Sequence, residues 1–366
     1  MDPAFPTDYT SILKRIDAVD PLQYGRTRNY NNGAVTYLSP YISRGVISTK
    51  QVLEIVLAKG YAISHIEKFV KELCWRDYFQ RVAQHKDVNQ DIKQLQAPVL
   101  NNETPKAILN ASTGIQGIDH AIELLYKTGY MHNHCRMYTA SLVCNIAKSH
   151  WHNPAQWMYY HLLDGDWASN ACSWQWVAGA NSSKKYYANQ ENINRYTYTK
   201  QENTFLDSSY ETIEQMERPA ALLFTEKFTP ENYLPENSTL KINNSIPTYI
   251  YDYYNLDPLW HEQENGNRIL LIEPDFFKRY PVSRKCIAFM LKLSKNIPDI
   301  QVYTGSFKSF KENYSVKSIF YKEHPLHEGY SGTEEARDWI IDNITEYYPS
   351  FFSYWKKIEK QLSKKL

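Results

Sequence analysis

Residues 113–176 read TGIQGIDHAIELLYKTGYMHNHCRMYTASLVCNIAKSHWHNPAQWMYYHLLDGDWASNACSWQW, and the reading of this stretch decides the fold. Apolar residues at Ile118, Ile122, Leu125 and Tyr126 recur at helical spacing, and Met137, Leu142, Val143 and Ile146 do so again. The pattern predicts two helices punctuated by Gly129. Asn133 and Arg136 fall one turn apart on the second helix, so they face a common partner. Asp164, Asp166 and Asn170 follow in an expected loop that Trp174 and Trp176 close. Taken singly, an Arg with two Asp residues is commonly an ion pair and a capped turn, and paired Trp residues are commonly core. Five polar groups and two aromatics within one segment are what a flat, electron-rich ligand held between helices needs, with hydrogen-bonding groups at its edge and aromatics beside its face.

The rest of the chain sets bounds on that reading. Its 366 residues, 43% hydrophobic, suffice for one large domain or two of ordinary size. A net charge of +1 leaves no global electrostatic footprint, so any nucleic-acid binding requires a local basic surface. No segment reaches the roughly 18 apolar residues of a membrane span, and MDPAFPTDYT does not read as a signal peptide. Five scattered cysteines without a CxxC pair argue against a disulfide framework or zinc site, and imply a reducing, cytoplasmic location. The strings His132 to His134 and His150 to His152 suggest metal at first sight, but helix positions i and i+2 point about 200° apart and cannot chelate from one face. The Asp164 segment lacks the glycine and terminal glutamate of a calcium loop, so no metal is expected.

Residues 1–23 read as a short lead-in helix, and YGRTRNYNNGAVTYLSPYISRGVIS then breaks the pattern before a helix expected near Ser48. Ile66 to His85 forms a helix with an apolar stripe at Phe69, Val70, Leu73, Tyr78 and Val82, with Glu72, Trp75 and Arg76 on or beside its edge. From about Glu217 the composition changes. PAALLF, PTYIYDYY, NRILLIEPDFF, IQVYTG and VKSIFYKEHP read as strands, with SRKCIAFMLKLSKNI as a helix between the third and fourth and TEEARDWIIDNITEYY after the last. Strands alternating with helices favour a parallel sheet. The expected architecture is mainly α, a multi-helical domain over residues 1–216 followed by a small α/β domain over residues 217–366 with a mostly parallel sheet.

GYMHNHCRM followed by LLDGDWASNACSWQW resembles the flavin-binding signature of the photolyase and cryptochrome family. The resemblance implies a helical pocket for FAD folded into a U shape. By matching position it gives Arg136 and Asp164 the salt bridge near the isoalloxazine, Asp166 the acid on the flavin edge, and Asn170 the place beside N5. Asn133 also falls in this pocket. Trp174 and Trp151 match the first two members of an electron-transfer chain whose third member is not visible, leaving a Tyr or Trp157 for that place. The stretch from Tyr24 resembles the family's phosphate-cradling turn, with Thr36, Leu38 and Ser39 at the diphosphate, Tyr24 on FAD and Arg28 on phosphate, although one residue is missing before Thr36.

ELCWRDYF resembles the family helix whose Glu, here Glu72, hydrogen-bonds a pyrimidine dimer and whose Trp, here Trp75, stacks on it, with Arg76 adjacent. Asn133, Met137 and Trp176 complete the match to that dimer pocket. Asn133 and Met137 stand where enzymes of the six-four type have two histidines. Where the family continues with Pro-Tyr-Phe-Arg, this chain has VAGANSSKKYYANQ, so Lys184 and Lys185, with Arg195 beyond them, are left to supply the charge for DNA phosphate. RILLIEPDFF and SRKCIAFMLKL resemble the family's α/β antenna domain, here placed after the flavin domain. The cysteine scatter does not match the four-Cys iron-sulfur cluster of one branch. The implied activity is blue-light repair of cyclobutane dimers in DNA by electron transfer from reduced FAD. The alternative is a photoreceptor of the cryptochrome kind.

Overall fold

Gly129 sits between helices Gln116–Thr128 and Asn133–Ser141, as the spacing predicts. Its φ of +76° belongs to the left-handed region, and a Cβ there would lie 2.6 Å from Cγ of Leu163, so the turn requires glycine. The second helix continues as a π-turn, Leu142–Ile146, with Asn145 donating to the carbonyls of Val177 and Tyr186. Helices His152–His161 and Trp167–Ala178 follow. The expected loop at 164–170 is therefore largely helical. The Asp166 carboxylate accepts from the Ser169 amide at 2.7 Å and caps the helix that carries Asn170, Trp174 and Trp176.

This computed structural model describes residues 2–237 and 239–365 and separates into two units that alternate along the chain. The first unit comprises mainly Leu22–Val35 and His85–Pro230. Its interior is aromatic, with Trp151, Trp157, Trp167, Tyr138 and Tyr159 fully buried. PAALLF is not a strand: Ala220–Leu222 is a 3-10 turn, Leu223 and Phe224 are exposed, and no sheet is there to bury the run. A two-residue ladder, β1 (Thr104–Pro105) against β2 (Thr225–Glu226), closes this region.

The second unit comprises Phe5–Pro21, Thr36–Gln84 and Glu231–Leu366. Its sheet contains β3 (Thr248–Tyr251), β4 (Asn267–Ile272), β5 (Gln301–Thr304), β6 (Ile319–Lys322) and β7 (Thr333–Glu335). All pairs are parallel, in the order β5-β4-β3-β6-β7, so the winding reverses at β3. All six residues of β4 are buried, which accounts for the continuous apolar run of NRILLI. TEEARDWIIDNITEYY departs from its expected helix. Its start is β7, where Glu335 accepts from Trp260 Nε1 at 2.7 Å and pairs with His261, so tertiary contacts override a helix-favouring composition.

The last helix, Phe351–Lys365, buries Phe351, Tyr354, Trp355, Ile358 and Leu362 along one stripe. Removing these five side chains from water contributes on the order of 10 kcal/mol. The stripe lies on helix Glu67–His85: Phe351 stacks on Trp75 with ring centroids 3.8 Å apart, and Tyr354 packs on Tyr78 at 5.6 Å.

Candidate functional site

In the first unit, Arg136 on helix Asn133–Ser141 meets Asp164, which lies in the turn between helices His152–His161 and Trp167–Ala178. Nη2 of Arg136 donates to both oxygens of Asp164, at 3.0 and 2.9 Å, and Nε donates to the carbonyl of Met131 at 2.8 Å. The Asp164 side chain is 6% exposed and that of Arg136 is 21% exposed, so the pair is largely shielded from water. Asp166 caps the next helix. One turn further, Asn170 donates Nδ2 to the carbonyl of Ala155 at 2.9 Å, which fixes its amide. Ser169 Oγ, between them, is buried without a hydrogen-bond partner among the described residues. A guanidinium, two carboxylates, an amide and an orphan hydroxyl supply both donors and acceptors. That donor set fits a heterocycle such as flavin, whose edge carries both kinds of group.

Asn133 is exposed at the start of its helix, and Met137 is half-buried one turn on. The histidines contact the backbone: Nδ1 of His132 accepts from the His134 amide, and Nδ1 of His150 accepts from that of His152. Burial lowers the pKa of His132 to about 4. Tyr24 and Arg28 lie on and just after helix Pro21–Thr27, both half-buried. All five cysteines are free and buried, and burial raises every one of their pKa values, so none is an activated thiol.

Trp174 is 2% exposed and Trp151 is fully buried, with Nε1 of Trp151 donating to Asp91 at 2.6 Å. From Trp151 the ring contacts run to His152 at 5.2 Å and on to Trp167 at 5.5 Å. Trp157 instead donates Nε1 to the Tyr126 hydroxyl at 3.0 Å. Trp167 thus joins the set through a helix-start position that the sequence reading passed over. Trp176 is 39% exposed, with the Tyr186 ring 5.9 Å away. Lys184 is exposed, while partial burial lowers the pKa of Lys185.

Of the residues given to the diphosphate and the dimer, Thr36, Leu38, Ser39, Glu72, Trp75 and Arg76 fall in the second unit. Thr36 and Leu38 precede a short helix, Ser39–Ser43, that the sequence reading did not anticipate, and Tyr37 between them has φ of +53°. Glu72 is half-buried, and Arg76 donates to Ser43 Oγ at 2.8 Å. Trp75 is stacked in this conformation. A ring face meant for a base is covered by Phe351, as close and as parallel as a stacked base would be.

Residues 69–216 match the family model described as the FAD binding domain of DNA photolyase. That stretch is similar to the flavin domain of DNA photolyases, and the cofactor of the matched domain is FAD. A deoxyribodipyrimidine photo-lyase of Agrobacterium fabrum is 29% identical over 180 residues, which are 45% of this chain and 37% of that protein. One from Synechococcus is 33% identical over 175 residues, 44% of this chain and 36% of the relative. The matched region thus spans little more than a third of either relative. Among solved structures, a Synechocystis cryptochrome aligns with a TM-score of 0.47 at 24% identity, over 53% of this chain and 44% of that one. Among the described residues no helix is long and apolar enough to cross a membrane, and no group of three or more His, Cys, Asp or Glu side chains is placed to hold a metal ion.

Proposed function

We propose that this chain is a blue-light flavoprotein that holds FAD through Arg136, Asp164, Asp166 and Asn170 and repairs cyclobutane pyrimidine dimers in DNA. The observation that carries the flavin assignment is the shielded, bidentate Arg136–Asp164 pair, in the segment that matches the FAD-binding family model. Bound there, FAD would supply light absorption and a transferable electron. The chain's part is to orient the cofactor, exclude water and present the substrate. Asp164 keeps Arg136 aimed, and Asp166 and Asn170 offer acceptors on one helical turn. Trp174 and Trp151 belong to the proposed electron supply. Thr36, Leu38 and Ser39, with Tyr24 and Arg28, are proposed contacts for the rest of the cofactor. On the substrate side the proposed contacts are Glu72, Asn133, Met137 and the exposed Trp176, with Arg76, Lys184 and Lys185 near the DNA backbone. The flavin domain expected over residues 1–216 would be carried chiefly by Leu22–Val35 and His85–Pro230, and the antenna-like α/β domain expected over residues 217–366 by the unit that holds Glu231–Leu366.

One observation favours the second reading, a photoreceptor without repair. Trp75 is already stacked on Phe351, so that face is not open to a flipped base. A repair assay on a dimer-containing oligonucleotide under blue light separates the two. If repair occurs, Trp176→Ala should weaken binding of damaged DNA about tenfold without changing flavin content, since stacking contributes roughly 1–3 kcal/mol per base. A chain whose FAD photoreduces but which neither repairs nor prefers damaged DNA is a photoreceptor. Protein that takes up no FAD refutes both readings.

A further inference from the structure

In the second unit a cavity of about 590 Å3 opens at the carboxyl ends of β3, β6 and β7, beside the point where the strand order reverses. Open parallel sheets bind ligands at such points because the chain diverges there and leaves a crevice. No glycine-rich turn follows β3. The sequence there is DYYN, so this is not a phosphate cradle of the dinucleotide kind.

Two of the buried lining groups are donors without acceptors. Nδ2 of Asn255, a residue 5% exposed, and Nε2 of His324, a residue 8% exposed, have no hydrogen-bond partner among the described residues. The His324 tautomer follows from its other nitrogen: Nδ1 accepts from the Leu326 amide at 3.2 Å, which leaves the proton on Nε2. Tyr254 stacks on the ring at 4.0 Å and 8° and holds its plane. Burial, then the positive charge of Arg337, His327, Arg76 and Arg44, lowers the pKa of His324 well below its ordinary value. The ring is therefore a neutral donor in positive surroundings.

Deep carboxylates do not use these donors, because each is already engaged. Asp77 accepts from Thr49 and Ile340, Asp252 from Tyr254, Asn255 and His327, and Glu323 from Arg337 and Trp339. Leaving two buried donors unmet is costly, so a ligand offering acceptor oxygens gains by meeting them.

The rim has the opposite character. Side-chain exposure rises to 30% at Glu335, 52% at Asp338 and 57% at Glu264. With Asp257 these make four carboxylates, two of them beside Lys322, which lies 2.9 Å from Asp257 and 3.9 Å from Asp338. His261 is shared between Glu264 and Glu335, and Lys50 is turned to Asp342 at 3.6 Å. A simple anion would be repelled by this rim, and a simple cation would leave the deep donors unmet.

We infer that the cavity binds a small zwitterion of the amino-acid class. Its carboxylate is met by Asn255 and His324, and its ammonium lies among the carboxylates of Asp257, Glu264, Glu335 and Asp338. This inference is independent of the flavin reading. The test is calorimetric titration of the purified full chain with 5-aminopentanoate, pentanoate and pentylamine. 5-Aminopentanoate should bind at least about ten times more tightly than either singly charged analogue. Asn255→Leu and His324→Phe should each weaken it about tenfold or more. Asp338→Asn at the exposed rim and Glu335→Gln at a half-buried position, which leave the deep donors in place, should reduce its advantage over pentanoate. Equal binding of pentanoate or of pentylamine, no binding of any probe, or unchanged affinity in folded Asn255 and His324 variants would overturn the assignment.

Discussion

Around Arg136 the buried charged groups engage one another or the backbone, with only the Ser169 hydroxyl left over: the guanidinium satisfies both oxygens of Asp164, and Asp166 satisfies the helix that follows. At the carboxyl edge of β3 and β6 the accounting differs, since the carboxylates are engaged but Asn255 and His324 keep donors in reserve. The first arrangement holds its shape without a ligand and presents a preformed edge. The second is stable only at a cost that a ligand would remove. Buried polar groups thus mark a site in two ways, by a pair shielded together or by a donor left over.

The largest effect expected is from Asp164→Ala, which leaves Arg136 facing the interior without its partner. Flavin content, measured as absorbance released on denaturation, should fall at least about tenfold, whereas Asn255→Leu should leave it unchanged. Retention of flavin by Asp164→Ala would make the pair a structural strut. Acid should come next. Burial lowers the pKa values of His132, His134, His150 and His152, so these rings are neutral when folded and take up protons once unfolded. The unfolded state then binds more protons, and stability falls as pH drops from 6.5 toward 4; His132 alone accounts for about 3 kcal/mol over that window. Urea unfolding at several pH values should show the slope, and His132→Gln should flatten it.

A smaller effect, about 2 kcal/mol, is expected for Gly45→Ala, where φ is +62° and a Cβ would lie 2.2 Å from the carbonyl of Tyr254. This clash pushes on the loop that carries Asn255, so the variant should also weaken 5-aminopentanoate. Gly60→Ala has similar strain, with φ of +86°, but nothing within 4 Å, and should cost only about 1 kcal/mol in a thermal melt without touching the ligand.

Much of the flavin segment was legible because its parts are local. Gly129 announces its turn, and Arg136 and Asp164 sit 28 positions apart on either side of one hairpin of helices. Asp166 was misread as loop because capping and loop use the same residue types, and only the Ser169 amide shows which applies. The strands β3 to β6 were legible from their β-branched and aromatic runs, but β7 was not, since its TEE sequence favours helix and only pairing with β6 overrides it. Phe351 on Trp75 could not be foreseen: 276 positions separate the two, and nothing in either neighbourhood names the other. The same holds for Asn255 and His324, which become a pair only when parallel strands bring their following loops to one edge.

The alternation of the two units along the chain has a consequence for biosynthesis. Residues 85–230 are contiguous, so a ribosome releases most of the first unit in one piece. Residues 36–84 emerge earlier yet belong with residues 231–366, which are made last. Helix Glu67–His85 must therefore wait, with Trp75 and Tyr78 uncovered, until Phe351 and Tyr354 have been translated. Cutting the gene near codon 216 to obtain a minimal flavin domain would make that wait permanent, and the product should be chaperone-bound or insoluble.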